Sequence, residues 1–521
     1  MANAAERSSF GSALRRLRSE AGLTQEALAE RAAMSARGLQ KLERGETLPY
    51  PATVLRLGEA LHLTAEQRAG LQSSAARPRR ARPLTTDGAG VATPERHKPT
   101  SADRHGSPSL RHFSEGLAGN DLGSNLNVAW QDRSHRGVSR RGGEDIAFTA
   151  ITRAPEYEKA LTEIEPLALA RGDPRLLGAL YNRLGYCQWA NGELGLARAT
   201  WSRAADLCDW GGIQTELAAA LALLQWCRLA QGELGQVLLC HEQTVEATER
   251  ATTQGWHVWA LAASAAAYAL RGRRIPALAA ANEALAFAES CAEPAATACA
   301  LSILSAACTA TGDQAAGQVH GASAVHLARR PLEQLLAQTA LGWALCRSSS
   351  PGSEVAAEAV ALLLPLPSEA EDLRVRPVEI EIRLRLGESL AATGQIGRAR
   401  AALETMMARA ETAGMRLHVA VGYRLLAEIS LANPAADSLA VAAAHFASSI
   451  DGLDGLQADG ELAQALVGYA RLHRRRGAPQ QAAECLSRAL QIFDHLSIPR
   501  AASAVRDELA ALRLGSPEHL A

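Results

Sequence analysis

Apolar residues near the start of the chain follow helical spacing in short segments. In residues 10–20 they recur every three or four positions, which places them on one face of a helix. Two further segments begin at Thr24 and at Ser35, whose hydroxyl groups can cap a helix, and two more precede residue 76. The pattern predicts five short helices around one small core. The predicted core positions are Phe10, Leu14, Leu17, Leu28, Met34, Leu39, Leu42, Val54, Leu57 and Leu61.

A 40-residue repeat begins at about residue 146. Each glycine of the repeat is predicted to end one helix, and a short turn then starts the next. Such helix pairs bury their apolar faces only by stacking, so the pattern predicts an α-solenoid of about eight pairs over residues 146–521, closed by a capping helix. The period is carried by Gly192, Gly232, Gly272, Gly312 and Gly352, and by Tyr181, Leu221, Leu261, Leu301 and Leu341 in phase with them.

Residues 77–145 separate these two parts and lack any periodicity. They are rich in Gly, Ser, Pro and Arg, a composition typical of a flexible linker that is partly basic. The sequence therefore predicts an all-α protein with domains at residues 1–76 and 146–521. An aromatic content of only 4% agrees with helices that pack closely on small side chains.

Charge is distributed unequally between the two predicted domains. Residues 1–82 hold 14 Lys and Arg against 8 Asp and Glu, whereas residues 146–521 hold 32 against 39. A basic head on an acidic body favours nucleic-acid binding by the head alone.

Several other classes of function are disfavoured by the sequence. None of the three lysines stands in the Gly-Lys-Ser/Thr order of a phosphate-binding loop, and no His-Glu-x-x-His spacing occurs. The nine cysteines show no C-x-x-C spacing, which favours buried thiols in a reducing compartment. No apolar leader and no run of 18 apolar residues is found. We therefore expect a cytoplasmic protein without enzymatic activity, cofactor, metal or membrane contact.

The segments GLTQEALAERA and SARGLQKLERG together resemble the lambda-repressor-like (Cro/repressor, XRE-type) helix-turn-helix family, over roughly residues 10–75. The resemblance implies that Gln25 holds a DNA phosphate and that Arg18 pairs with Glu43. It also implies that Ala36, Arg37 and Lys41 face base edges, Ala36 through its methyl group. A purely structural helical hairpin with a solvated charged face is the alternative. The predicted DNA-contacting residues are Gln25, Ser35, Ala36, Arg37, Gln40, Lys41 and Arg44.

The repeat unit YNRLGYCQWANGELGLARATWSRAADL resembles the tetratricopeptide (TPR) family, in the long-helix form found in bacterial regulators. The resemblance implies that the first helix of each pair lines a concave face. Aromatic side chains there suit a peptide or another amphipathic ligand, whereas the alternative is that they only fill gaps between Ala-rich helices. Trp201 is predicted to be core. The predicted ligand-binding residues are Asn182, Tyr186, Trp189, Trp226 and Trp259.

Together these features predict a sequence-specific DNA-binding transcriptional regulator that acts as a homodimer on double-stranded DNA. Its solenoid would bind a peptide or protein ligand or mediate dimerisation. The alternative is a TPR interaction scaffold in which the DNA-binding head is auxiliary.

Overall fold

The computed structural model describes residues 2–32, 36–44, 155–250, 255–291, 294–350, 352–432, 436–496 and 498–514, together with Leu57, Ala60, Leu61, Leu63, Gln67 and Leu71. The chain divides into two compact units, Met1–Val138 and Ser139–Ala521, which we describe separately. All regular secondary structure in the described residues is helical, as predicted. Among the described helices, none is both long and apolar enough to cross a bilayer.

Three helices are described in the first unit: α1 (Ala2–Glu20), α2 (Gln25–Arg31) and α3 (Ala36–Glu43). Helix α1 begins earlier than the predicted segment. The predicted cap of α2 is confirmed, because the Oγ1 atom of Thr24 accepts a hydrogen bond of 3.1 Å from the backbone N–H of Ala27. The predicted cap of α3, Ser35, lies outside the described residues.

The core of the first unit confirms most of the predicted positions. Buried residues include Phe10, Leu14, Leu17, Leu28, Leu39, Leu42, Leu57 and Leu61, while Met34 and Val54 lie outside the described residues. Helices α1 and α3 approach closely at Gly11, where an added Cβ atom would lie 2.6 Å from the carbonyl oxygen of Glu43. A glycine at this position therefore lets the two helices pack.

The second unit is a solenoid of antiparallel helix pairs, with eight pairs in its described part. Two pairs have a second helix in two pieces. The break at Pro365 follows from the missing N–H of proline, which cannot continue the helical hydrogen bonding. The helices are α4 (Pro155–Arg171), α5 (Pro174–Ala190), α6 (Leu194–Gly211), α7 (Gln214–Ala230), α8 (Leu234–Leu239), α9 (His241–Arg250), α10 (Gly255–Leu270), α11 (Arg274–Ser290), α12 (Pro294–Ala310), α13 (Gln314–Leu327), α14 (Pro331–Ser348), α15 (Glu354–Leu363), α16 (Leu366–Asp372), α17 (Arg376–Ala392), α18 (Ile396–Ala413), α19 (Arg416–Ala432), α20 (Ala436–Leu456), α21 (Asp459–Arg475), α22 (Pro479–His495) and α23 (Pro499–Leu514).

The repeating glycines lie where the sequence places them, in the turn inside each pair. Gly192, Gly232, Gly272, Gly312 and Gly352 have φ values of 83°, 79°, 70°, 90° and 77°. These positive values are strained for residues with a Cβ atom, so glycine ends each first helix at little cost. The predicted capping helix is α23.

The solenoid curves until its two halves meet. Helix α5 contacts α17, and α10 contacts α21, although many pairs separate them in sequence. Arg271 donates a hydrogen bond of 2.9 Å to the Oε1 atom of Gln457, and Arg416 donates one of 3.4 Å to the carbonyl oxygen of Gln231. The concave side is thereby enclosed between the early and the late repeats.

Candidate functional site

In the first unit, a buried carboxylate connects all three described helices. The Oε1 atom of Glu43, at the end of α3, accepts a hydrogen bond of 2.6 Å from Nε of Arg18 on α1. Its Oε2 atom accepts bonds of 3.2 Å from Nη2 of Arg18 and of 2.6 Å from Nε2 of Gln25 on α2. The predicted pair of Arg18 with Glu43 is confirmed, and this cluster fixes the orientation of α3.

The environment of Glu43 keeps its carboxylate ionised. Burial by itself would raise the pKa of Glu43, but the hydrogen bonds from Arg18 and Gln25 and the positive charge of Arg18 outweigh it. The net result is a pKa below the ordinary carboxyl value. The cluster is therefore complete at neutral pH.

The face of α3 that is predicted to contact DNA is only partly described. Lys41 and Arg44 are exposed to solvent, and Gln40 is half-buried. Ala36 and Arg37 belong to the backbone of α3, but their side chains lie outside the described residues, as does all of Ser35. Gln25 has a second amide N–H beyond the one given to Glu43. Its phosphate contact stays a prediction.

The second unit encloses a cavity of about 310 Å³, and the first helix of every pair contributes to its wall. Tyr186 and Trp189 stack with ring centroids 5.6 Å apart, and Trp226 meets Trp259 edge to face at the same separation. The indole N–H of Trp226 also donates a hydrogen bond of 2.9 Å to the carbonyl oxygen of Trp259. Rings held in this way form a rigid apolar wall.

Four of the five predicted ligand-binding residues line this cavity: Tyr186, Trp189, Trp226 and Trp259. Asn182 does not line it. The amide nitrogen of Asn182 donates hydrogen bonds of 2.9 and 2.8 Å to the backbone and carboxylate oxygens of Glu216, so this side chain joins α5 to α7. Trp201 is buried, as predicted, and its indole N–H donates to the carbonyl oxygen of Asn182.

Sequence reasoning missed three tryptophans of the cavity wall: Trp256 and Trp343, and also Trp201, which was predicted to be core alone. The 40-residue period could have located some of these wall residues from the sequence. Positions 186, 226, 266 and 306 stand in one phase, and all four line the cavity. Trp343 lies 40 residues after Ile303, which lines it as well. Extending the period beyond the first three pairs would have found Trp343, whereas Trp256 has no such partner.

The late repeats supply a charged part of the wall. The Oε1 atom of Glu381 accepts a hydrogen bond of 2.7 Å from Nε of Arg385, and its Oε2 atom lies 2.7 Å from Nε2 of His418. The guanidinium carbon of Arg385 lies 3.8 Å from the ring centroid of Trp343. A cation over an indole face is attracted by the ring quadrupole.

These pairings hold the charged wall in its ionised form. Burial would raise the pKa of Glu381, but the charges and hydrogen bonds of Arg385 and His418 outweigh it and hold that pKa below its ordinary value. Burial likewise opposes the charge of Arg385, and the nearby carboxylates of Glu381 and Glu388 raise its pKa instead. The wall is therefore a set of matched charges.

A second cavity, of about 610 Å³, adjoins the same charged network. Arg347 donates a hydrogen bond of 3.0 Å to Glu388, and Arg424 pairs with Glu428 at 2.9 Å and with Glu461 at 3.0 Å. Its lining carries both signs of charge, already paired with each other.

Metal and thiol chemistry find little support in the described ranges. No group of three or more His, Cys, Asp or Glu residues in them could hold a metal ion. Burial raises the pKa of Cys187, Cys208 and Cys227 to about 12. These thiols therefore remain protonated and unreactive at neutral pH.

Comparison with known proteins gives a family for the start of the chain and a fold for the repeats. Residues 9–71 match the family described as a helix-turn-helix domain. No curated protein matches the chain in sequence.

Several solved structures resemble the chain in fold. A crystal structure of a Rap protein complexed with competence and sporulation factor is 13% identical, covers 67% of this chain and 95% of its own, and has a TM-score of 0.50. The Cut9–Hcn1 hetero-tetramer of the APC/C is 11% identical, with coverages of 90% and 80% and a TM-score of 0.41. Aspartyl phosphate phosphatase F from Bacillus subtilis is 13% identical, with coverages of 74% and 90% and a TM-score of 0.32. At these identities the likeness concerns the helical-repeat fold alone.

Proposed function

We propose that this chain, which joins a helix-turn-helix domain to a TPR-like α-solenoid, is a sequence-specific DNA-binding transcriptional regulator. The helix-turn-helix match over residues 9–71 carries the proposal. Helix α3 would lie in the major groove, and the solenoid would bind a ligand or mediate dimerisation.

The geometry of the first unit supports the proposed DNA contact. The buried cluster of Glu43, Arg18 and Gln25 holds α3 against the rest of the unit, while Lys41 and Arg44 remain exposed on it. An exposed Lys is suited to hydrogen-bond guanine in the major groove. We propose that Arg37 and Lys41 contact bases and that Gln25 contacts a phosphate.

The aromatic cavity supports a sensory role for the solenoid. A ligand changes DNA affinity only if it binds one arrangement of the protein better than another. The cavity lies where the early and late repeats meet, so an occupant would alter how they pack. A peptide is the finer version of this proposal, and homodimerisation on two half-sites is a further part of it.

The experiment is a footprint of the full-length protein on its own upstream DNA at moderate salt. We expect one discrete protected site. Replacing Lys41 or Arg37 with Ala should remove the preference for that site over random DNA, because base contacts carry sequence information. Replacing Gln25 with Ala should weaken binding to all sequences alike.

The matched control removes a cation of the same unit outside α3. Arg16 on α1 is exposed, with 72% of its side chain accessible, and Arg16→Ala should leave the footprint in place. If the Lys41, Arg37 and Gln25 variants all behave like Arg16→Ala, the assigned roles are wrong.

The alternative function is a protein-interaction scaffold with an auxiliary head. The solenoid has eight helix pairs in its described part, and this large potential interaction surface favours the scaffold as a second candidate. A salt-sensitive smear instead of a discrete footprint would support the scaffold and contradict the regulator.

A further inference from the structure

One repeating position in the wall of the cavity changes size along the chain. This position is Tyr186 in the first pair, Trp226 in the second, Ala266 in the third and Ala306 in the fourth, and all four line the cavity. Two large rings and two methyl groups at this position thus line the same cavity. The wall is also unusually rich in indoles: six of the eight tryptophans in the sequence belong to it within the described ranges.

The size of the cavity limits its occupant. Its volume of about 310 Å³ corresponds to the liquid volume of roughly ten water molecules and lies at the lower end of the range for ligand pockets. A molecule with two fused rings fills such a space. A peptide of several residues has far more atoms than this volume can hold.

The charges in the wall limit the occupant further. The acidic and basic side chains of the wall are Glu381, Arg385, His418 and Glu461, and each already has a partner in the protein. Arg385 and His418 both bond to Glu381, and Glu461 pairs with Arg424 at 3.0 Å. A charged ligand would lose its hydration and find no unmatched opposite charge in the described wall, so a charge on the ligand is disfavoured.

Two side chains of the wall have a buried polar atom without a hydrogen-bond partner in the described part of the chain: Trp343, through its indole N–H, and His418, through Nδ1. Trp343 is 6% exposed, and its buried indole N–H has no hydrogen-bond acceptor among the described residues. A buried donor without an acceptor costs free energy that a ligand oxygen could recover. We infer that the cavity binds one small, uncharged aromatic molecule that carries a hydrogen-bond acceptor for Trp343. This inference deepens the proposed function by naming the class of ligand.

The test compares probes of similar size and different charge by isothermal titration calorimetry with the full-length protein. The probes are 1-naphthalenemethanol, the 1-naphthylmethylammonium cation, the 1-naphthoate anion and the tripeptide Leu-Leu-Leu. We expect one molecule of the neutral alcohol to bind per chain, with a negative heat-capacity change. The charged probes and the tripeptide should bind at least tenfold more weakly. No binding of the alcohol, or tighter binding of an ion or the tripeptide, overturns the inference.

Three variants locate the binding. Ala306→Phe fills the space left by the alanine and should abolish binding of the alcohol. Trp210→Leu, at a tryptophan that is not part of the wall, should leave it unchanged. Trp343→Phe keeps a ring but removes the N–H, so it should weaken the alcohol at least fivefold and leave 1-methylnaphthalene unaffected. Equal loss for both probes would contradict the acceptor, and unchanged binding to Ala306→Phe at an unchanged melting temperature would place the site elsewhere.

The two proposals fail in different measurements. If the alcohol binds but the footprint is absent or unaltered, the cavity assignment stands and its regulatory meaning fails. If a discrete footprint is found and the alcohol does not bind, the regulator stands and the class of ligand proposed here is wrong.

Discussion

The cluster around Glu43 provides the most direct test of how α3 is held. Replacing Glu43 with Gln keeps the shape of the side chain and removes its charge. Arg18 would lose an ionised partner that receives two bonds, at 2.6 and 3.2 Å. A hydrogen bond to a charged group contributes about 1.5–3 kcal/mol. Arg18 keeps its 2.8 Å bond to the carbonyl oxygen of Leu23, and 15% of its side chain is exposed, so part of the loss is recovered.

We therefore expect Glu43→Gln to lower the free energy of opening of the first unit by about 2–3 kcal/mol. Amide hydrogen exchange, followed by mass spectrometry on the full-length protein, reports this locally. Peptides that contain Leu28 and Leu39 should exchange about 30- to 160-fold faster, since 1.36 kcal/mol corresponds to tenfold. Peptides from the solenoid should not change.

The destabilisation caused by Glu43→Gln should depend on pH. The pKa of Glu43 is lower in the folded protein than its ordinary value, so its contribution to stability is fully present above the ordinary carboxyl pKa. That contribution is lost as the pH falls through the folded-state pKa. The difference between the original protein and Glu43→Gln should therefore be largest near pH 7 and shrink below about pH 4.5.

A matched control removes a carboxylate that is not buried. Glu20 on α1 is 57% exposed and lies 3.7 Å from Arg16. Exposed pairs contribute little, so Glu20→Gln should leave exchange within a factor of about three. The reasoning is refuted if Glu20→Gln and Glu43→Gln accelerate exchange equally, or if the Glu43→Gln effect does not depend on pH.

Three further predictions concern packing, buried charge and thiols. Gly11→Ala should destabilise the first unit by about 1–3 kcal/mol, as measured by hydrogen exchange during chemical denaturation, because the added Cβ atom would lie 2.6 Å from backbone. Gly235→Ala, with open space around the added Cβ atom, should not destabilise the solenoid. Arg424, whose side chain is 3% exposed, pairs with Glu461, which is 12% exposed, so Arg424→Met should cost the solenoid about 3–5 kcal/mol in urea unfolding. Arg471→Met, at a side chain that is 56% exposed, should cost less than about 1 kcal/mol, and equal costs would contradict the buried network. Cys227, whose pKa is raised to about 12 by burial, should resist a disulfide reagent at pH 8 until the protein unfolds, and rapid labelling would contradict its burial.

The sequence determined the local structure of this protein to a large extent. Glycine is the residue that adopts a positive φ with little strain, so Gly192 and the glycines that follow it at 40-residue intervals mark the turns of the solenoid. Helical spacing of apolar residues likewise predicted the buried face of α1, including Phe10 and Leu14. These features depend on neighbours within a few positions, which is why a linear pattern contains them.

The residues of the candidate sites could be predicted only in part from the sequence pattern. Trp189, Trp226 and Trp259 could be placed on the inner wall because the repeat assigns them to first helices. Asn182 has the same kind of placement but bonds to Glu216 on the next pair, and nothing in the pattern shows that contact. The role of Gln25 beside Glu43 likewise depends on where α2 meets α3.

Periodicity thus fixed what each helix is, because dihedral preference and apolar spacing act along the chain. Only the tertiary structure decided what the repeats enclose. Curvature accumulates over many small rotations between neighbouring pairs, and no short segment encodes their sum. That sum brings Trp343, Glu381 and His418 opposite the early aromatic wall. It arranges the charged side chains of the late repeats and the aromatic rings of the early repeats around one cavity.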